Sequence, residues 1–216
     1  MLTLSAMLRI YAIPPSLYCA KLRILLRHKQ LAWEELPPPG GYGSDDYKLV
    51  IPSGNLPAMI DGDLQITDSE AIAEYLEERH PDPPALPSDM VLRAKVRELS
   101  RFHDTRLEPV IRALFPHLPG RASPPDGFLK RQSAEISARL GQLARMLTAE
   151  TGTTLTLGDC GYPITFAWLD ALAPRMGFSV DLPEEVTAYR GRIARVPAVA
   201  EELADYLPEL TAFLEN

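Results

Sequence analysis

The feature that most constrains the fold of this chain is the placement of its prolines. The sequence has 21 prolines in 216 residues, about twice the usual proportion. Four of them fall in one short stretch, HPDPPALP at 80–87. Each proline removes a backbone donor and fixes φ, and the residue before it is turned away from helical geometry. The stretch predicts a linker at 81–87 that divides the chain into a domain over 1–80 and a domain over 88–216.

Before this linker, the hydrophobic pattern changes repeatedly between the period of a strand and the period of a helix. The predicted order is β-α-β-(α)-β-β-α, which is typical of a small α/β domain. Asp61-Gly62 lies between two short apolar runs and predicts a hairpin. The predicted strands lie at 8–13, at 31–36 and, as a pair, within 56–67, and the predicted helices begin after Ser16, at 45 and at 68–70.

After the linker, every long segment has helical spacing. Ser88-Asp89 predicts the cap of a long helix that is kinked or ended near Pro109. The fold class predicted from the sequence is therefore an α/β domain followed by an all-α helical domain. The further predicted helices lie at about 126–149, 157–173, 184–194 and 198–206.

Composition excludes several classes of function. The formal net charge of −7 argues against sequence-independent nucleic-acid binding, which needs basic clusters that face phosphates. No stretch approaches the roughly 20 apolar residues of a membrane span, and the first residues lack a secretory signal, so we expect the protein to start at or near Met1. The two cysteines, Cys19 and Cys160, form neither a disulfide framework nor a metal-ligand pattern, and a cytoplasmic location is expected.

A hydroxyl stands where the first predicted strand turns into the first predicted helix, at Ser16 after Pro14-Pro15. On local grounds the simpler interpretation is a helix cap. The alternative is functional, because unpaired N–H groups at a helix start stabilise an anion such as a thiolate. A serine hydroxyl there can donate a hydrogen bond to the same thiolate.

Two further segments leave comparable alternatives open. Pro57 precedes a predicted strand, and either it is an ordinary trans proline at a sheet edge or its peptide bond is cis and presents the backbone of Leu56 to a ligand. Asp68 and Ser69 open the third predicted helix, where backbone amides suit a carboxylate and Asp68 suits an ammonium group. A purely structural cap is the other interpretation of that helix start.

Taken together, these segments resemble the cytosolic glutathione transferase family, of the serine type seen in bacterial and zeta- or omega-like members. The resemblance extends from about Leu8 to about Pro197. Thr156 and Asp159 also resemble the family's capping box, a structural feature. The motifs that carry the resemblance are Ser16-Leu17-Tyr18-Cys19 followed by Arg23, then Asn55-Leu56-Pro57 and Asp68-Ser69-Glu70-Ala71-Ile72.

The resemblance implies a thioredoxin-like domain that binds glutathione and a helical domain that supplies most of the pocket for a hydrophobic electrophile. It implies that Ser16 is catalytic and stabilises the glutathione thiolate. Leu56, next to a cis Pro57, would pair through its backbone with the cysteinyl unit of glutathione. Asp68 would lie near the ammonium group and Ser69 on the carboxylate. The family also implies a homodimer, glutathione as co-substrate and no metal.

Several alternatives stay open at this point. The protein could be a glutathione-dependent isomerase or reductase, or a non-catalytic binding or regulatory protein on the same fold. Ser16-Leu17-Tyr18 replaces the Ser-Ser-Cys of the zeta-like branch, which argues against that branch's isomerase activity. Tyr11 is the second candidate hydroxyl, with a core tyrosine as its alternative. Cys19 has the second position of a Cys-x-x-Cys motif, but Ser16 replaces the attacking cysteine, so we expect Cys19 to be a packed residue.

Overall fold

The computed structural model describes residues 7–118 and 120–215. It divides into two compact units, one that ends at Ala85 and one that begins at Leu86. The chain start, for which the sequence predicted no signal peptide, lies in residues 1–6, outside the described residues. Within the described ranges, no helix combines the length and the apolar character needed to cross a membrane.

A four-stranded mixed sheet forms the centre of the first unit, in the order β2-β1-β3-β4. β1 and β2 run parallel, whereas β3 is antiparallel to both β1 and β4. Asp61 and Leu64 face each other across the β3–β4 turn, so the predicted hairpin is confirmed. The strands are β1 (Leu8–Tyr11), β2 (Trp33–Leu36), β3 (Ala58–Asp61) and β4 (Leu64–Thr67).

Three helices of the first unit follow the predicted order. They are α1 (Leu17–His28), α2 (Asp45–Val50) and α3 (Ser69–Arg79). Apolar residues recur at helical spacing along α1, and the face that they form is completely buried. α1 also contacts α3. The buried residues of that face include Leu22, Leu25 and Leu26.

The second unit is helical, so the predicted fold class is confirmed. Asp89 caps its first helix by accepting a hydrogen bond from the Leu92 amide at 2.9 Å, as the sequence indicated. One π-helical turn, His103–Leu107, lies directly before the segment that contains Pro109. The helices are α4 (Met90–Phe102), α5 (Glu108–Arg112), α6 (Phe128–Met146), α7 (Tyr162–Met176), α8 (Glu184–Ile193) and α9 (Pro197–Glu215).

The last helix differs most from its prediction. The sequence placed it at 198–206, but α9 continues through Pro208 to Glu215. Proline in a helix interior costs about 3 kcal/mol, and tertiary packing offsets that cost here. Leu210 is buried, and the ring of Phe213 contacts that of Trp168 in an edge arrangement at 6.0 Å. These contacts lie beyond what a local helix-stop signal can report.

Candidate functional site

Ser16 is the N-cap of α1, and its extended backbone turns the chain from β1 into the helix. Its Oγ accepts a hydrogen bond from the Cys19 amide at 3.3 Å, so the cap interpretation is confirmed. Accepting that bond uses a lone pair of the oxygen and leaves the hydroxyl proton available to a further acceptor. Ser16 is also half-buried rather than enclosed. The geometry is therefore compatible with donation of a hydrogen bond to an anion at the start of α1.

Cys19 is completely buried, as expected for a packed residue. Burial raises the pKa of its thiol above the ordinary value, although the Ser16 side chain and the nearby Arg23 cation act in the opposite direction. A buried thiol with a raised pKa is a poor nucleophile. Cys19 is therefore a core residue of the first unit.

An ion pair that sequence reasoning missed supports the turn before Ser16. Arg23 donates two hydrogen bonds to Glu35 of β2, at 2.6 and 3.0 Å, and its Nη2 lies 3.5 Å from the carbonyl of Ile13. The same carbonyl accepts the Ser16 amide at 3.2 Å. Burial raises the pKa of the Glu35 carboxyl, but hydrogen bonding and charge from Arg23 outweigh it, and the net pKa is lowered. The motif at the start of α1 included Arg23, but the sequence did not indicate its partner in β2.

The peptide bond between Leu56 and Pro57 is cis, as one of the two sequence interpretations held. The alternative, a trans proline at a sheet edge, is wrong, because the bond is cis and β3 is an inner strand between β1 and β4. Leu56 packs against a buried cluster that contains Tyr47. The Tyr47 hydroxyl donates a hydrogen bond to the Asn55 carbonyl at 2.8 Å, and burial raises the pKa of this hydroxyl. Tyr47 thus holds the loop directly before Leu56, a role that the sequence pattern did not indicate.

Tyr11, the second candidate hydroxyl, belongs to the edge of that cluster. Its ring contacts the ring of Tyr47 at 5.4 Å in an edge arrangement. The residue is half-buried and packs with the apolar side chains around Tyr47. The core interpretation therefore accounts for Tyr11.

Asp68 is the N-cap of α3 and has a φ of 78°, which is rare for a residue with a side chain. Its Oδ1 accepts hydrogen bonds from the amides of Glu70 at 2.9 Å and Ala71 at 3.1 Å. Both amides use one oxygen, so a ligand that approached Oδ2 would leave the cap intact. Asp68 is exposed, whereas Ser69 is 8% exposed at the first position of the helix. Unusual backbone geometry of this kind is concentrated at ligand sites.

The sheet register brings these three segments to the same end of the sheet. Tyr11, the last residue of β1, pairs with Ala58, and Ala58 pairs with Thr67 on its other side. The turn that leads to Ser16, the Leu56–Pro57 bond and the start of α3 each follow or precede one of these paired residues directly. Two helix starts and one loop thus converge at one end of the sheet. Helix starts that meet in this way are typical of an anion-binding site.

The capping box predicted in the second unit is confirmed and is structural. Asp159 is 1% exposed, and its Oδ2 accepts hydrogen bonds from the Thr156 amide at 2.9 Å and the Thr156 hydroxyl at 2.6 Å. The Tyr189 hydroxyl donates to Oδ1 at 2.8 Å. Over residues 7–118 and 120–215, no group of three or more His, Cys, Asp or Glu side chains could hold a metal ion.

Comparisons with known proteins agree with this arrangement. The family profile described as "Glutathione S-transferase, N-terminal domain" matches residues 10–84. "Glutathione S-transferase Z2" of Arabidopsis thaliana is 40% identical over 92 residues, which are 41% of this chain and 41% of the relative. "Glutathione S-transferase zeta class" of Euphorbia esula is 25% identical over 210 residues, or 95% of this chain and 93% of the relative. The Arabidopsis alignment thus spans about two fifths of that relative's length.

Among solved structures, the tau class glutathione S-transferase from mango, Mangifera indica, has a TM-score of 0.80. It is 21% identical and covers 98% of each chain, so the similarity concerns the fold. A mixed sheet in the order β2-β1-β3-β4 with a cis proline before β3 defines a thioredoxin-like domain, here followed by a helical unit. Residues 10–84 thus match a glutathione S-transferase N-terminal domain, and the chain as a whole is similar to glutathione S-transferases in sequence and in fold.

Proposed function

We propose that this protein is a glutathione transferase in which Ser16 stabilises the thiolate of bound glutathione. The observation that carries the proposal is the convergence of the α1 start, the Leu56–Pro57 loop and the α3 start at one end of the sheet. In the reaction, the glutathione thiol loses its proton to solvent and the thiolate sulfur forms a bond to an electrophilic carbon. The electron pair displaced from that carbon leaves with a leaving group or is protonated.

The remaining contacts to glutathione belong to the same proposal. The backbone of Leu56, beside Pro57, pairs with the cysteinyl unit. Asp68 attracts the ammonium group of the γ-glutamyl unit, while Ser69 binds its carboxylate at the positive end of α3. Support comes from the exposure of Asp68 and from its use of only one oxygen for the two cap bonds.

The expected contribution of Ser16 is moderate. Each unit by which the thiol pKa falls corresponds to about 1.4 kcal/mol of preference for the thiolate. One hydroxyl donor and the end of a helix dipole together supply an effect of this order. Ser16 therefore accelerates the reaction, and a variant without it keeps glutathione binding.

The test is a titration of glutathione binding and of the bound thiol pKa, read from thiolate absorbance, in wild type and Ser16→Ala. Wild type is expected to bind at millimolar or lower concentration with a depressed thiol pKa, and Ser16→Ala is expected to bind with an ordinary thiol pKa. Ser53→Ala is a matched control, because Ser53 lies in the loop before Asn55 and its hydroxyl accepts that residue's amide at 3.2 Å. Absence of glutathione binding by wild type contradicts the proposal.

The fate of glutathione separates the alternatives. A transferase consumes one glutathione per product and forms a thioether, whereas an isomerase leaves the glutathione concentration unchanged. A reductase converts glutathione to its disulfide. A binding or regulatory protein shows none of these with any electrophile while it still binds glutathione. Similarity to zeta class relatives makes the isomerase assay the second one to perform.

We also propose a homodimer in the cytoplasm that detoxifies electrophiles. The first turn of α4 exposes three consecutive apolar side chains, Met90, Val91 and Leu92, by 81%, 65% and 55%. Contiguous exposed apolar surface of this kind is typical of an interface. Both cysteines are buried and neither is in a disulfide, which agrees with a reducing compartment. Sedimentation should give twice the 23.9 kDa chain mass, and Leu92→Glu should shift the protein toward the monomer.

A further inference from the structure

Lys21 is an unusual residue for its position in α1. Its side chain is only 3% exposed, and its Nζ lies 2.7 Å from Oε2 of Glu70. Lys21 stands just over one helical turn after Ser16, and Glu70 follows Ser69 in the first turn of α3. The ion pair therefore connects the starts of the two helices that carry the proposed glutathione contacts.

A second ion pair joins the same two helices near their other ends. Lys29, whose side chain is fully buried, lies 2.6 Å from Oε2 of Glu77. Lys29 also donates to the carbonyls of His80 at 2.6 Å and Pro83 at 3.1 Å, and Glu77 accepts the amide of Ala85. This second pair thus fixes the chain that follows α3, far along both helices from Ser16 and Asp68.

Glu70 places a carboxylate in the first turn of α3, and the ion pair with Lys21 determines where that negative charge lies. A carboxylate in the first turn of a helix is attracted to the positive N-terminal end of that helix, and at α3 Asp68 already accepts the amides of Glu70 and Ala71 there. At the start of α3, such a carboxylate would compete with an anionic ligand for the same positive end of the helix. Lys21 draws the Glu70 carboxylate toward α1 instead and balances its charge at 2.7 Å.

We propose that Lys21 is a positioning residue for glutathione binding, because it keeps the Glu70 carboxylate away from the anion-binding start of α3. This inference rests on the proposed function, since it takes the γ-glutamyl carboxylate of glutathione as the ligand at that helix start. Lys21 acts through Glu70 and touches no reacting atom. Its effect belongs to glutathione affinity and not to the pKa of the bound thiol, which depends on Ser16.

The test compares glutathione binding by calorimetry in wild type, Lys21→Met, Glu70→Gln and the double variant Lys21→Met/Glu70→Gln. Lys21→Met is expected to weaken binding about tenfold, the size of one charge effect at a partly buried helix start. The bound thiol pKa and kcat at saturating glutathione are expected to equal those of wild type. The double variant is expected to recover to within about threefold of wild type, because the competing carboxylate is gone.

Lys29→Met is the matched control, because it breaks an equally buried ion pair between the same helices. It is expected to lower the free energy of unfolding while glutathione affinity stays within about twofold of wild type. Glu70→Gln keeps the inference testable if Lys21→Met fails to fold, and its glutathione affinity is expected to equal or exceed that of wild type.

Three results would overturn the inference. One is a Lys21→Met protein that binds glutathione like wild type, and another is a double variant as weak as the single one. The third is a tenfold loss of affinity in Glu70→Gln, which would make Glu70 itself a ligand contact. In each of these cases wild type still binds glutathione, and the proposed function stands. If wild type binds no glutathione, the proposed function fails and this inference fails with it.

Discussion

Asp68 and Asp159 each accept a backbone amide at a helix start, one in each unit of the protein, and their surroundings differ. Asp68 is exposed and accepts two amides through one oxygen, with its backbone at a φ of 78°. Asp159 is 1% exposed, and both of its oxygens accept hydrogen bonds from Thr156 or Tyr189. The sequence signal of a carboxylate near a helix start is the same in both.

The difference decides which of the two carboxylates has an oxygen left for a ligand. A carboxylate whose oxygens are all used by buried donors has no capacity left for a ligand, and its removal leaves those donors unsatisfied. An exposed carboxylate that uses one oxygen keeps capacity for a ligand and contributes less to stability. Effects on stability should therefore be largest at Asp159 and smallest at Asp68, while effects on glutathione binding should follow the opposite order.

The largest effect on stability is expected for Asp159→Ala. The substitution leaves three donors without their acceptor, the buried Tyr189 hydroxyl and the half-buried amide and hydroxyl of Thr156, so we expect the free energy of unfolding to fall by about 3–5 kcal/mol. Urea denaturation followed by circular dichroism measures this loss. Asp89→Ala is the matched control, because Asp89 caps α4 on the surface through one amide and should cost about 1 kcal/mol. Equal losses in the two variants would show that burial does not separate structural from exposed caps.

Glu35→Gln should have the second largest effect, and that effect should depend on pH. The folded pKa of Glu35 lies below its ordinary value of 4.5, so the Arg23–Glu35 pair stabilises the protein above that pH. This contribution is lost as pH falls through the folded pKa. At pH 7 we expect a loss of about 1–2 kcal/mol, reduced by partial exposure of the pair. In urea denaturation the difference between the variant and wild type should shrink as the pH is lowered below 4.5, and a difference that does not shrink with falling pH would refute the assignment.

The sequence predicted the fold class, the order of elements in the first unit and the caps at Ser16, Asp68 and Asp159. Local spacing is sufficient to predict these features. A capping residue lies within one helical turn of the amides that it bonds, and the apolar residues of one helix face recur about once per turn. Sequence reasoning missed the Arg23–Glu35 pair and the hydroxyl of Tyr47, whose partners are fixed by tertiary packing.

The lengths of elements show the same division between local and tertiary information. The sequence prediction ended the last helix at 206, yet α9 continues past Pro208, where Leu210 is buried and Phe213 contacts Trp168. The sequence also could not distinguish a saturated cap from an exposed one. That distinction depends on what lies around the carboxylate, such as Tyr189 beside Asp159.

Ser16→Ala should cost less stability than either substitution above. Its Oγ accepts one amide at the long distance of 3.3 Å, so we expect a loss of about 0.5–1 kcal/mol, toward the lower part of the range for caps. Thermal unfolding measures this value, with Ser44→Ala as control, since Ser44 caps α2 by accepting the Tyr47 amide at 3.0 Å. A loss of 3 kcal/mol or more would place Ser16 with Asp159 as a structural cap.

Asp68→Gly is expected to have the smallest effect on stability, within about 0.5 kcal/mol of wild type. Glycine is nearly as good an N-cap as aspartate, with a difference of a few tenths of a kcal/mol. It also adopts a φ of 78° without the strain that a side chain brings there. These two contributions have opposite signs, so the net change in the urea midpoint should be small.

The same Asp68→Gly variant should lose at least about tenfold in glutathione affinity, because it removes the carboxylate proposed to attract the ammonium group. Calorimetry on the folded variant measures the loss, and Asp63→Gly on the β3–β4 turn is the control for removal of an exposed carboxylate at the other end of the hairpin. If Asp68→Gly instead destabilises the protein by more than 1 kcal/mol and binds glutathione normally, Asp68 is a structural cap like Asp159. Because exposure and one unused oxygen are what separate Asp68 from Asp159, that result would remove the physical basis for assigning a ligand to the start of α3.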